Sequence, residues 1–132
     1  MVNNKINIKI NHELKNKTIL LTGGAGSIGS MLTKKLLEFP VKSVRILDVD
    51  EHALFKLGRS VKDSRLRLLL GDIQNIDRLD MAGVDTDVVI HLAAVKNIEI
   101  TEFNPIETIN TNINGTVNLI KMVMKHKPAK FI

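Results

Sequence analysis

The chain has 132 residues, with 19 Lys+Arg against 14 Asp+Glu and a formal charge of +5, a length that bounds it to one domain or part of one. Its 44% hydrophobic and 25% charged residues are ordinary globular composition and exclude wholesale disorder. The absence of Cys excludes disulfides, Cys-ligated zinc and thiol nucleophiles, and the absence of Tyr excludes any mechanism in which this chain supplies a phenol. No apolar run approaches the ~18 residues of a membrane span, and the start carries no signal-peptide pattern, so the expectation is a soluble, cytoplasmic domain with no membrane partner. The aromatic residues are Phe39, Phe55, Phe103 and Phe131. None lies in a basic cluster, so nucleic acid is not an expected partner either. His12, His52, His91 and His126 lack partners at metal-ligand spacing, and no metal is expected.

Residues 1–16 are polar with alternating Ile6, Ile8 and Ile10, which predicts a short edge strand or a flexible arm. From residue 17 to 132 the pattern is that of one domain in which strands and helices alternate. Thr18–Leu21 predicts a strand that ends at Thr22 and a glycine cluster. The helix after it has Ile28, Leu32, Leu36 and Phe39 on one face and stops at Pro40. Val44–Leu47 predicts a second strand closing on Asp48. Asp50 caps the next helix, whose apolar face is Ala53, Leu54, Leu57 and Val61. Leu66–Leu70 is the third strand, a short helix covers Ile76–Met81, and Val88–Ile90 is the fourth strand. Asn104-Pro105 reads as a cap followed by a first-turn Pro. Behind it, Ile106, Ile109, Ile113, Val117, Ile120 and Met124 step by three and four along one long helix. Lys130–Ile132 opens a fifth strand. The alternation predicts an α/β fold with a doubly wound parallel sheet of about five strands, in the order 3-2-1-4-5, with helices on both faces.

Gly24-Ala25-Gly26-Ser27-Ile28-Gly29 is a G-x-G-x-x-G string placed where a strand turns into a helix, the context in which it binds a dinucleotide. Glycines allow a tight turn and let backbone N–H groups approach a pyrophosphate, and the helix N-terminus offers unpaired N–H groups and partial positive charge. Asp48 ends the second strand 19 residues beyond Gly29, near the ~20 expected of a ribose-binding acid. Its carboxylate accepts from ribose hydroxyls and repels a 2′-phosphate, and Val49, Asp50 and Glu51 supply no cation. The expected cofactor is NAD, with NADP disfavoured.

Thr22-Gly23-Gly24-Ala25-Gly26-Ser27-Ile28-Gly29 resembles the T-G-x-x-G-x-x-G turn of extended short-chain dehydrogenases/reductases, a Rossmann-fold family. Gly71-Asp72-Ile73, His91-Leu92-Ala93-Ala94 and Asn112-Ile113-Asn114-Gly115-Thr116 are similar to three further segments of that family, in the same order. The resemblance places Gly23, Gly26, Ser27, Ile28 and Gly29 on the pyrophosphate. It places Asp72 and Ile73 on the adenine, and Leu92, Ala93 and Ala94 along the nicotinamide-side ribose, with Asn112 as a structural brace. Ala93-Ala94-Val95-Lys96-Asn97, Glu102–Glu107 and Asp50–Phe55 resemble, more narrowly, UDP-N-acetylglucosamine 4,6-dehydratases and related polysaccharide-biosynthesis proteins. That resemblance puts Lys96 on a substrate or cofactor phosphate, as suits a cation facing a diphosphate. Two positions depart from it. Asn97 stands where the family commonly has His, and Asp48 where relatives that prefer NADP carry a Ser-Arg pair.

The resemblance implies a lyase that oxidises C4 of a nucleotide sugar, removes water across C5–C6 and returns the hydride to C6. The family's Ser/Thr-Asp-Lys segment and its Tyr-x-x-x-Lys or Met-x-x-x-Lys follow the fifth strand and are not met in this sequence. The expectation is therefore the amino-terminal part of a longer enzyme, with the carboxy-terminal half of the fold absent, no catalytic residue in this chain and no turnover by it alone. A homo-oligomer is expected from the family. A UDP-sugar 4-epimerase shares every cofactor motif quoted and stays open, as does a non-catalytic NAD-binding module.

Overall fold

The computed structural model describes the backbone of residues 2–132 and the side chains of residues 6–132; Met1 lies outside the described residues. Five parallel strands, β1 (Thr18–Thr22), β2 (Ser43–Asp48), β3 (Leu66–Leu70), β4 (Val88–His91) and β5 (Lys130–Phe131), form one sheet in the order β3-β2-β1-β4-β5. This is the doubly wound order expected. All five residues of β1 are buried, because a central parallel strand is covered on both faces and reads as a continuous apolar run. Its register pairs Thr22 with Leu47 on one side and with His91 on the other, so the carboxyl ends of three strands finish level.

Two core layers sandwich the sheet. On one face Ile19, Leu21, Val44, Ile46 and Val88 pack with Leu36, Leu54 and Leu57, from α2 (Ser27–Leu36) and α3 (Glu51–Ser60). The other layer holds Leu20, Leu47 and Val89 against Leu79 and Ala82 of α4 (Ile76–Gly83) and Leu119 and Met122 of α7 (Thr116–His126). Asp50 and Asn75 cap α3 and α4 by accepting from the amides of Ala53 and Arg78, filling donors that a helix start leaves open.

Four local expectations are corrected. The amino-terminal segment is a helix, α1 (Val2–Leu14), neither strand nor loose arm: Ile10 and Leu14 lie one helical turn apart, and Leu14 packs on the core. A helix satisfies its own backbone, whereas an edge strand there would need a neighbour. In α2, Ile28 is exposed and Gly29, Thr33 and Leu36 are the buried residues. A short helix, α5 (Ile98–Phe103), precedes Pro105; Asn97 caps it, and the Asn104 side chain donates to Ile100 O of α5 instead of capping the helix that follows.

The largest correction concerns the last helix. It is divided into α6 (Pro105–Ile109), a π-helical turn at Asn110–Gly115, and α7. Ile106, Ile109, Ile113, Val117, Ile120 and Met124 all face outward, while Leu119 and Met122 are fully buried. Two apolar stripes run along this rod, and periodicity cannot choose between them. The sheet takes the stripe that includes Met122 because Gly83 of α4 has no side chain and leaves room for the Met122 thioether.

Away from the carboxyl ends, Arg65 holds the link between α2 and β2 by donating to Leu37 O at 2.6 Å and Phe39 O at 2.8 Å. Asp63 orients it at 2.7 Å. The hydrogen bonds from Arg65 lower the Asp63 carboxyl to about 2. A depressed carboxylate stabilises the fold above its unfolded value, 3.8, and that contribution is lost as pH falls toward 2. In urea denaturation, the stability gap between wild type and Asp63→Asn is expected to be full at pH 5 and to close below pH 3. In dilute monomer, Leu119→Ala is expected to cost about 2–5 kcal/mol, whereas Ile120→Gln on the outward stripe changes stability by no more than ~0.5 kcal/mol.

Candidate functional site

A cleft of ≈ 430 Å³ opens at the carboxyl ends of β1, β2, β3 and β4, and every residue that the sequence singled out for cofactor or phosphate lines it. Its floor is the turn from β1 into α2, with Gly23, Gly26, Ser27, Ile28 and Gly29. One wall carries Asp48 and, from the end of β3, Asp72 and Ile73. The facing wall is Leu92, Ala93 and Ala94, with Lys96 beyond them.

The turn has little freedom. Gly23 has φ +66°, and a Cβ there would stand 2.6 Å from Ala93 N; a Cβ on Gly29 would stand 2.5 Å from Gly24 Cα. Both positions exclude side chains because the chain's own backbone fills the space. At Gly26 the only atom near a Cβ is Gly23 O, at 3.4 Å, an ordinary contact, and its φ of −68° suits any residue. The protein itself therefore makes no demand for glycine at Gly26. Gly26 is the N-cap of α2 without a side-chain cap, and the first helical bond is Ser30 N to Gly26 O at 2.8 Å. The amides of Ser27, Ile28 and Gly29 precede that bond, at the end where helix N–H groups lack internal partners and anions are favoured.

Asp48 is fixed through both oxygens, accepting from Ala25 N at 3.0 Å and Asp50 N at 3.1 Å. It thus ties the glycine turn to the end of β2, while each oxygen keeps a further acceptor position. Asp72 accepts from Gln74 N at 2.8 Å. Ile73 is buried in the core layer below the wall. Lys96 is exposed at the mouth.

The wall of Leu92–Lys96 is held from behind. Asn112 accepts from Val95 N and donates to Val95 O, both at 2.8 Å, which is the brace expected of it. His91 bridges Thr22 Oγ1 at 2.6 Å and Thr116 Oγ1 at 3.1 Å. Thr116 donates its own proton to Asn112 O, so the hydroxyl accepts from His91 Nε2–H and Thr22 donates to Nδ1. Burial pushes the His91 pKa down, in keeping with this neutral ring.

The cleft also takes in Leu47, Val49, Gly71, Val95 and Thr111, which sequence reasoning did not select. Val49 carried a usable signal, an apolar residue directly after the strand-ending acid. Thr111 carried none, because it reaches the cleft only through the π turn.

The fold and this cleft define a Rossmann-type α/β protein of the short-chain dehydrogenase/reductase class, with a pocket at the reversal point of strand order, where open parallel sheets hold their ligands. Residues 19–132 match the model of a family described as polysaccharide biosynthesis protein. The chain belongs to that family.

Among curated relatives, it is 45% identical over 123 residues to an uncharacterized membrane protein of Methanocaldococcus jannaschii, covering 93% of this chain and 37% of that one. It is 38% identical over 117 residues to an inverting UDP-N-acetylglucosamine 4,6-dehydratase of Campylobacter jejuni (88% and 35% covered). A UDP-glucose 4-epimerase of Rickettsia bellii is 35% identical over 120 residues, with the same coverage. The chain spans about a third of the length of these relatives. Pen from Bacillus thuringiensis superposes with a TM-score of 0.86 at 38% identity (89% and 36% covered). A dTDP-glucose 4,6-dehydratase from Streptomyces venezuelae with NAD bound gives 0.79 at 28% identity (86% and 38% covered). Among the described residues no helix is long and apolar enough to cross a membrane.

Proposed function

We propose that residues 17–132 are the NAD-binding domain of a nucleotide-sugar 4,6-dehydratase, acting in the cytoplasm on a UDP-N-acetylglucosamine-like substrate in polysaccharide or glycan biosynthesis. Similarity to the Campylobacter jejuni enzyme supports the dehydratase part of this reading, and the single observation that carries its dinucleotide part is Gly26. No contact within the protein requires its missing side chain, whereas a pyrophosphate seated on the amides of Ser27, Ile28 and Gly29 does. In this reading Asp48 accepts from the adenosine ribose hydroxyls, Asp72 and Ile73 border the adenine, and Leu92, Ala93 and Ala94 run beside the second ribose. Lys96 faces a substrate or cofactor phosphate. The nicotinamide, when bound, supplies hydride transfer. The Asp48 carboxylate disfavours a 2′-phosphate, and Val49, Asp50 and Glu51 offer it no cation, which supports NAD over NADP.

None of the acid–base residues that such chemistry uses is identified in this chain, so the isolated domain binds cofactor without turning substrate over. The outward apolar stripe on α6 and α7 supports self-association, since soluble monomers rarely leave a large apolar patch in water. A 4-epimerase is the second reading, favoured by the similarity to the Rickettsia enzyme.

Calorimetry tests the site. Gly26→Ala is expected to keep the melting temperature and weaken NAD binding at least ~tenfold, a loss of about 1.4 kcal/mol. Asp48→Ala is expected to weaken NAD binding by a similar factor and to narrow the preference over NADP; unchanged affinity and preference would remove the ribose assignment. A catalytically complete protein carrying this domain is expected to convert UDP-N-acetylglucosamine to a 4-keto-6-deoxy product. Formation of UDP-N-acetylgalactosamine instead would establish the epimerase.

A further inference from the structure

Behind the adenine-side wall, α7 presents Asn118, whose amide nitrogen donates to Gln74 O at 2.9 Å and to Ile73 O at 3.3 Å. Those two carbonyls lie past the end of β3, where strand pairing no longer holds the backbone. Gln74 adds a second tie from its own side, donating through Nε2 to Thr111 Oγ1 at 3.2 Å. Six residues earlier on the same rod, Asn112 grips both polar groups of Val95 on the opposite wall. Asn112 lies within the π turn at Asn110–Gly115, and Asn118 follows it on α7. An i→i+5 turn takes in one more residue than an α-turn and so rotates everything after it relative to Asn112. At its end Gly115 lies against Ile73, with room for no side chain: a Cβ there would be 2.7 Å from Ile73 Cδ1.

From this juxtaposition we infer that Asn118 is the positioning residue for the adenine end of the cleft, and that the π turn sets its phase against Asn112 so that one helical rod fixes the separation of the two walls. The inference rests on the dinucleotide reading of the cleft. Asn118 touches no ligand in this scheme; it acts by holding the Ile73–Gln74 peptide, whose carbonyls would otherwise turn toward water and release the wall. The chemistry requires a donor. A carboxylate of the same size at this position would face two carbonyl oxygens with no proton to offer.

Hydrogen exchange and calorimetry on the isolated chain test it, with AMP as a probe of the adenine end alone. Asn118→Asp and Asn118→Leu are both expected to speed amide exchange at residues 73–75 at least ~tenfold and to weaken AMP binding about fivefold or more. Exchange at Val95–Asn97 is expected to stay unchanged in both. Asn112→Leu is expected to give the converse, with fast exchange at Val95–Asn97 and AMP binding retained. Since Asp keeps the volume of Asn, loss in Asn118→Asp isolates the hydrogen-bond donor from mere packing. Unchanged exchange at residues 73–75 in both Asn118 variants would overturn the inference even if wild type binds AMP and NAD normally. Failure of wild type to bind either nucleotide would instead overturn the dinucleotide reading, while the exchange arm would still judge the Asn118 tie.

Discussion

Gly23 and Ala93 approach so closely that no side chain fits between them, and the cleft depends on that contact. It brings the turn leaving β1 against the segment leaving β4, so the floor and one wall are a single packed unit. The positive φ at Gly23 aims the chain from the sheet into α2, which leaves the first amides of the helix facing the opening. A larger residue would force the two segments apart and take the geometry of the whole corner with it.

Around this contact the polar groups are arranged so that each wall is anchored from outside the cleft. Asp48 fixes the glycine turn to β2. Asn112 and His91 fix the segment after β4 to the α6–α7 rod, and Asn118 fixes the segment after β3 to the same rod. The anchors are side chains because the segments they hold lie beyond the strand ends, where ladder hydrogen bonds have stopped. The two walls are therefore preorganised by His91, Asn112 and Asn118, none of which lines the cleft, whereas Asp48 both anchors the turn and faces the opening.

The opposite end of the sheet has a different task. There Arg65, oriented by Asp63, binds the carbonyl of Leu37 at the C-cap of α2 and that of Phe39 just beyond it, and Arg45 donates to Ala82 O near the end of α4. Cations suit the carboxyl ends of helices, where carbonyls lack partners.

The strand order, both core layers in outline and most of the cleft residues from the glycine turn to Lys96 were legible in the sequence, though Thr111 was not, because buried parallel strands are continuous apolar runs and a phosphate turn needs glycines at fixed spacing. Residues 1–16 misled, since the alternation of Ile6, Ile8 and Ile10 looks like a strand although Ile10 and Leu14 also satisfy a helical turn. The rod from Pro105 to His126 misled further. Its most regular apolar stripe points outward, and the face that packs holds Gly115, Leu119 and Met122. Local pattern determines that a helix forms and that it has apolar faces. Which face meets the sheet is decided by complementarity with residues distant in sequence, here the space over Gly83 and Ile73, and a π turn leaves no trace in periodicity because it shifts the phase within the pattern itself.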